Sequence, residues 1–238
     1  HIERLKRGLD SLQIDFSWSL ERWREVFEEL IKRNGAGNQS LYLHISRGAD
    51  TKRDHAYPKG IKPTVFILVS QIDPPQLADP ELAHTFKVSS KQDLRWDRCD
   101  IKSTALLGNV MHKQSSVEDG CDEALLYNEK GEITEGASSN VVVVKDGIMA
   151  TPLLDHQVLP GITRYMLFDI VDKYSERFIE ERVVTLAEAH DADEIWLTAS
   201  SKDLVPVVEL DGKPVGNGKP GPVWQEVMAL YAEHRFDY

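Results

Sequence analysis

Short strand-like segments alternate with amphipathic helical segments along the whole chain, and this alternation constrains the fold more than any other feature. Continuous apolar runs at residues 64–70 (TVFILVS) and 194–198 (EIWLT) predict strands that are buried on both faces. Apolar residues recur at helical spacing in residues 17–34 and again in 224–236. The pattern therefore predicts a mixed α/β (α+β) protein.

Length and composition narrow the possible classes of protein. The chain has 238 residues, and residues 71–80 (QIDPPQLADP) are rich in Pro and Asp. We therefore expect a smaller domain at 1–72, a linker at 73–80 and a larger domain at 81–238. A net charge of −11 argues against a nucleic-acid partner and gives no reason to expect a membrane partner. The two cysteines fit a reducing cytoplasm, and neither lies in a metal-binding pattern.

Lys102 lies in the most informative stretch, residues 93–114 (DLRWDRCDIKSTALLGNVMHKQ). Alternation predicts a short strand from Trp96 to Lys102, followed by a helix that Ser103 or Thr104 caps. A lysine on a partly apolar face is desolvated, loses its proton more easily and can attack a carbonyl group. An ordinary lysine that extends to solvent is the alternative interpretation.

Three further features could serve the same chemistry. Glu135 ends a predicted hairpin strand, and a buried carboxylate there needs a partner such as the protonated nitrogen of a pyridine ring. Residues 161–163 (GIT) open a predicted helix, whose N-terminus attracts anions. Residues 198–201 (TASS) add hydroxyl donors after a buried strand. Each feature alone also fits an ordinary turn acid, helix start or polar loop. Neither a GxSxG elbow nor a P-loop nor a GxGxxG motif occurs.

Taken in order, residues 93–114, 132–147 (EITEGASSNVVVVKDG) and 159–164 (LPGITR) closely resemble the fold-type-IV pyridoxal-phosphate aminotransferases. The resemblance runs from His1 to about Val208, and it is strongest to the D-amino-acid aminotransferases of that family. It implies two α/β domains with pyridoxal 5′-phosphate in the cleft between them, and a homodimer. The implied reaction is ping-pong transamination between a D-amino acid and a 2-oxo acid.

The resemblance also implies a role for individual residues. Lys102 matches the lysine that attaches the cofactor and moves the substrate proton, and Glu135 matches the acid at the pyridine nitrogen. Matches to other cofactor-binding positions are Arg4, Ser138, Leu159, Ile162, Thr163 and Ser200. Arg53 and His55 match the RxH motif with which the D-amino-acid enzymes hold the substrate carboxylate. In those enzymes the motif reaches over from the neighbouring subunit. A guanidinium suits this task because it binds a carboxylate with two parallel hydrogen bonds.

One departure from the family leaves alternatives open. The family begins with a DRGxxFGDGVYE-like segment that has no counterpart here, so we expect a front segment to be missing, together with its substrate-side tyrosine. A non-catalytic, truncated homologue that binds the cofactor is therefore one alternative. A branched-chain aminotransferase, an aminodeoxychorismate lyase or an (R)-amine transaminase of the same fold is another, and the first two lack the RxH motif.

Overall fold

The computed structural model describes residues 1–237 and divides into two compact units, His1–Pro74 and the chain from Pro75 onward. The smaller unit contains helices α1 (Ile2–Ser11) and α2 (Leu20–Asn34), and strands β1 (Gln39–Ser46) and β2 (Thr64–Gln71). The side chain of Ser19 caps α2 by accepting a hydrogen bond from the Arg22 N–H at 3.2 Å. The two strands pair in antiparallel fashion along their whole length.

The expectation that both faces of β2 are buried is wrong. Phe66 and Leu68 on one face are 53% and 50% exposed, whereas Val65, Ile67 and Val69 on the other are partly buried. β2 pairs with β1 in a two-stranded sheet, and α2 lies against β2. An apolar run is therefore not sufficient evidence that both faces of a strand are buried.

The larger unit is built on a nine-stranded mixed sheet with the order β5-β4-β3-β10-β9-β6-β7-β8, to which β11 adds at β10. The strands are β3 (Phe86–Gln92), β4 (Glu123–Tyr127), β5 (Ile133–Gly136), β6 (Asn140–Lys145), β7 (Ile148–Thr151), β8 (Ile179–Glu181), β9 (Glu194–Ala199), β10 (Asp203–Leu210) and β11 (Lys213–Pro214). The helices are α3 (Leu107–Glu118), α4 (Ile162–Tyr174), α5 (Leu186–His190) and α6 (Pro222–His234). None of the helices in residues 1–237 is long and apolar enough to cross a bilayer.

This unit contains two antiparallel hairpins, and the first confirms the predicted hairpin strand that ends at Glu135. β4 pairs antiparallel with β5, and β6 pairs antiparallel with β7. Asp146 and Gly147 join β6 to β7 with φ values of 50° and 77°, the left-handed conformation that a tight two-residue turn requires. A three-residue turn, 137–139, joins β5 to β6 although they stand first and sixth in the sheet order, so the sheet curls back toward itself.

Successive side chains of the central strands point to opposite faces of the sheet and belong to two separate hydrophobic cores. Val141, Val143 and Leu197 belong to one core, and Val142 and Trp196 belong to the other, which α4 and α6 cover. Since both faces are packed, the continuous apolar runs of β6 and β9 are explained, and the prediction of a buried strand at 194–198 is confirmed.

The segment between β3 and α3 differs from the sequence-based expectation. Residues 93–106 form a loop, so the short strand predicted from Trp96 to Lys102 is absent. Polar side chains rather than a neighbouring strand hold this segment, through the contacts of Asp93 and Arg95 with β5. The helix begins at Leu107 after Leu106, without a side-chain cap, so the prediction that Ser103 or Thr104 caps it is also wrong.

Candidate active site

Glu135 at the end of β5 is a carboxylate surrounded by hydrogen-bond donors. Its side chain is 7% exposed. One oxygen accepts a hydrogen bond from Arg95, and the other accepts from Asn140 Nδ2 at 3.1 Å and from the Leu159 N–H at 3.0 Å. Burial raises the pKa of Glu135 to about 7, against the opposing effects of Arg95 and the Leu159 N–H. The acid is therefore held in one orientation, and its pKa would shift if a further charge were placed nearby.

Arg95 links Glu135 to the loop that carries Lys102. Its guanidinium, 3% exposed, contacts Asp93 through Nε at 3.0 Å and Nη2 at 2.7 Å, and also donates to the Gln157 carbonyl at 3.1 Å. Burial by itself would raise the pKa of Asp93, but the bonds from Arg95 outweigh burial and the pKa is lowered. Thr134 on β5 also donates to Asp93, at 2.8 Å. Residues 93–95 are thereby fixed beside the acid.

Asn140 connects the acid to the start of α4. Its Nδ2 donates to Glu135 and also to the Leu159 carbonyl at 2.8 Å. Gly161 lies directly against the same amide, and a Cβ at this position would lie 1.9 Å from Asn140 Oδ1. No side chain in the described part of the protein caps the first turn of α4 after Gly161. Glycine at 161 therefore lets the N-terminus of α4 approach Asn140, the partner of Glu135, with backbone N–H groups suited to an anion.

The last helix supports both hydroxyl-bearing segments of the site. Thr163 on α4 is buried and forms a side-chain hydrogen bond with Tyr231 on α6, whose pKa is raised mainly by burial. Ser200 is exposed in the turn between β9 and β10, where the Lys202 N–H bonds the Ala199 carbonyl at 3.0 Å. At the end of this turn, Asp203 accepts a hydrogen bond from Arg235 at 2.8 Å.

Lys102 lies in the loop 93–106 between Ile101, which is buried, and Ser103. Its side chain is exposed, in contrast to the desolvated lysine expected from the sequence. The Cys99 N–H bonds the His156 carbonyl at 2.8 Å, and Asn109 Nδ2 on α3 bonds the Ala137 carbonyl at 2.8 Å. These contacts tie the loop to the segment before α4, and tie the helix that follows the loop to the turn after Glu135.

The structure thus brings some of the sequence-predicted residues together in the larger unit and leaves others apart. Contacts through Asn140 join Glu135 to Leu159, and Leu159 lies just before Ile162 and Thr163 in the chain. Ser138, which is exposed, follows Glu135 by three residues in the turn to β6. Other predicted residues belong to the smaller unit: Arg4 is half-buried on α1, and Arg53 and His55 are exposed in the segment between β1 and β2. Their roles stay predictions.

Two buried hydroxyls, one in the turn after β5 and one on β9, favour a bound polar group at this site. Ser139 Oγ and Thr198 Oγ1 have no hydrogen-bond partner among residues 1–237. Thr198 faces Asn140 across the β9–β6 pair, so the two side chains lie on the same side of the sheet. Buried polar groups normally find partners. A buried acid, an uncapped helix N-terminus and exposed hydroxyls fit a phosphorylated pyridine ring better than a metal, for which the described residues offer no cluster of ligands.

Comparison with known proteins places the chain among aminotransferases. Residues 1–210 match the family model described as amino-transferase class IV. The chain is 36% identical over 240 residues to a D-alanine aminotransferase of Staphylococcus haemolyticus, covering 99% of this chain and 83% of the relative. It is 35% identical over 228 residues to a D-alanine aminotransferase of Bacillus licheniformis, covering 96% and 78%.

Solved structures of lower identity share the fold. A branched-chain amino acid aminotransferase from Thermobaculum terrenum in its PLP form superposes with a TM-score of 0.88 at 21% identity, covering 98% of this chain and 76% of that one. A putative 4-amino-4-deoxychorismate lyase from Legionella pneumophila gives a TM-score of 0.84 at 23% identity, covering 98% and 84%. These likenesses confirm the mixed α/β fold expected from the sequence.

Proposed function

Because the chain belongs to the class IV aminotransferases, we propose that it transfers an amino group between a D-amino acid and a 2-oxo acid, using pyridoxal 5′-phosphate. The observation that carries this proposal is the buried Glu135, held by Arg95, Asn140 and the Leu159 N–H beside the N-terminus of α4. The choice of D-amino acids is supported by the relatives named D-alanine aminotransferase and by Arg53 and His55.

Different residues of the site would hold different parts of the cofactor. Glu135 would hold the protonated ring nitrogen, and Arg95 and Asn140 would keep the acid ionised and oriented. The N–H groups of Ile162 and Thr163, the Ser200 hydroxyl and Arg4 would bind the phosphate. Leu159 would pack against the ring, and Ser138 would lie beside it. When bound, the cofactor withdraws electrons from the substrate's α-carbon so that its proton can leave.

Lys102 would both hold the cofactor and act as the base. Its Nζ would attach the cofactor to the protein in the resting enzyme, and as a free amine it would take the proton from the substrate's α-carbon and give it back on the cofactor side. Arg53 and His55 would hold the substrate's α-carboxylate, since a guanidinium binds a carboxylate with two parallel hydrogen bonds.

We also propose that the enzyme is a cytoplasmic homodimer. Leu94, Leu106, Leu107, Val110 and Met111 on the loop before α3 and on α3 itself are each at least half exposed. Such a concentration of large apolar side chains is typical of an association surface. The cytoplasm is supported by two free cysteines. Sedimentation equilibrium tests the dimer, and a monomer at micromolar concentration would contradict it.

Substrate assays with the cofactor-loaded enzyme test the proposed activity. We expect turnover of D-alanine with 2-oxoglutarate, and much slower turnover of L-leucine and of a chiral amine that has no carboxylate. Arg53→Ala should raise KM for the amino acid at least about tenfold, because a charged pair of hydrogen bonds is lost, while the cofactor stays bound. Preference for L-leucine would favour a branched-chain enzyme, and a cofactor-bound protein without transfer activity would favour a non-catalytic homologue. An unchanged KM would reject Arg53 as the carboxylate trap.

A further inference from the structure

Glu123, at the start of β4, is a second buried carboxylate close to the proposed cofactor site, and neither the proposed function nor the family match explains it. Its side chain is completely buried. One oxygen accepts the hydroxyl proton of Ser138 at 2.6 Å, and the other accepts from the Ala124 N–H at 3.1 Å. Ser138 itself is exposed, so a buried negative charge lies one hydrogen bond behind a surface that is expected to face the cofactor.

Lys202 supplies the positive charge for this carboxylate. It follows Ser200 and Ser201 in the turn between β9 and β10, and its Nζ lies 3.4 Å from Glu123 and 3.3 Å from Ser138 Oγ. The hydroxyl proton of Ser138 points to Glu123, so its oxygen accepts from Lys202. The side chain of Lys202 is 28% exposed, so this partner of the buried carboxylate is itself partly open to solvent. This contact joins the turn after β5 to the turn after β9.

An aromatic ring, a second lysine and a histidine lie beside this pair. Lys202 Nζ lies 5.1 Å from the centroid of the Phe86 ring, over which Lys113 of α3 lies at 6.0 Å. The ring of His84, just before β3, contacts the edge of the same phenyl group at 5.2 Å. Lys202 is closer to Glu123 than a bridging water would allow, and it approaches from the turn that carries Ser200.

We infer that Lys202 is a positioning residue that neutralises Glu123 and thereby permits the turns of Ser138 and Ser200 to face a phosphorylated cofactor. The inference rests on the proposed function, in which Ser200 binds the phosphate and Ser138 lies beside the ring. Without the ammonium, a buried carboxylate would repel a phosphate dianion across a few ångströms of poorly polarisable protein. With it, the surface under the phosphate is neutral and the two turns are held together.

Binding measurements on protein freed of cofactor test this role. Pyridoxal 5′-phosphate and pyridoxal, which lacks the phosphate, serve as probes, and quenching of tryptophan fluorescence gives the dissociation constants. We expect Lys202→Met to weaken binding of the phosphorylated probe about tenfold by uncompensated repulsion, and to change binding of pyridoxal little. Lys202→Arg should restore most of the affinity. Lys202→Met combined with Glu123→Gln should also restore it, because both charges are then absent.

Two results would overturn the inference. One is equal loss of affinity for both probes by folded Lys202→Met, which would show that Lys202 does not act on the phosphate; the other is failure of the double variant to recover binding. Glu123→Gln alone provides an independent check should Lys202→Met unfold. It should bind the phosphorylated probe at least as tightly as the wild type, and weaker binding of that probe alone would contradict the role. Wild-type protein that binds neither probe would instead reject the proposed function.

Discussion

At the scale of single residues, Glu135 is the group whose state matters most. A carboxyl that is buried among Arg95, Asn140 and the Leu159 N–H has a pKa of about 7, so it changes its charge within the working range of most enzymes. A protonated ring nitrogen next to it would add a positive charge and favour the ionised form. Arg95 already favours the ionised form of Glu135 in part. Arg95 was not among the site residues identified from the sequence.

Glu135→Gln should change how stability depends on pH. The folded pKa lies above that of the unfolded chain, so the folded wild type binds the extra proton between about pH 4.3 and 7. Its stability from this group is present below the unfolded pKa and is lost as the pH rises through about 7. Glutamine has no such proton. The melting temperature of cofactor-free Glu135→Gln minus that of the wild type should therefore increase from pH 5 to pH 8.

The measurement is a pair of thermal melts at each pH. Effects of other titrating groups cancel in the difference, because both proteins share them. A difference that is constant between pH 5 and pH 8 would show that the pKa of Glu135 is not raised. A difference that decreases would show that the pKa is lowered instead.

At the scale of secondary-structure elements, α6 depends on one buried acid. Glu194 on β9 accepts hydrogen bonds from the Val223 N–H at 2.9 Å and the Trp224 N–H at 2.8 Å, which are the first free donors of α6. It also accepts from the Trp196 indole at 3.0 Å. Gly221 leaves room for this carboxylate, since a Cβ there would lie 2.1 Å from the Glu194 carboxyl carbon. The helix that supports Thr163 and Asp203 is thus anchored to the central sheet.

Glu194→Gln should therefore lower the free energy of unfolding by about 1–3 kcal/mol, because a charged acceptor for three buried donors is lost. Urea unfolding followed by tryptophan fluorescence measures this. Glu226→Gln is the matched control: Glu226 lies on α6 but forms a partly exposed pair with Arg177, so its loss should cost less than about 1 kcal/mol. Equal effects of the two variants would show that Glu194 does not hold the helix.

Local chemistry explains which elements the sequence could predict. The β6–β7 hairpin follows from the Asp146-Gly147 turn, and α5 follows from its apolar segment and the Thr185–Glu188 capping box, so neighbouring residues suffice. The loop 93–106 could not be predicted in this way. Its conformation depends on a bond from Arg95 to Glu135, 40 positions away, and an alternating pattern alone does not show that a neighbouring strand exists.

At the scale of the whole molecule, the site joins residues that the sequence predicts to residues that only the fold brings near them. Glu135, Gly161 and Thr163 stand in recognisable motifs, whereas Asn140, Arg95 and Lys202 act through contacts between distant segments. The ion pair of Asp93 and Arg95 does have a signal in the sequence, because the two opposite charges are separated by only one residue. The chain spans 83% and 78% of the lengths of the two D-alanine aminotransferases compared above.

Attachment of the cofactor to Lys102 is the central claim, and borohydride reduction followed by peptide mapping tests it most directly. Reduction makes the bond between a lysine and the cofactor permanent, so the intact mass should increase by one phosphopyridoxyl group. Digestion should place that group on Lys102, and Lys102→Ala should show neither the added mass nor turnover. An unchanged mass, or a label on another lysine such as Lys113 or Lys202, would contradict the account.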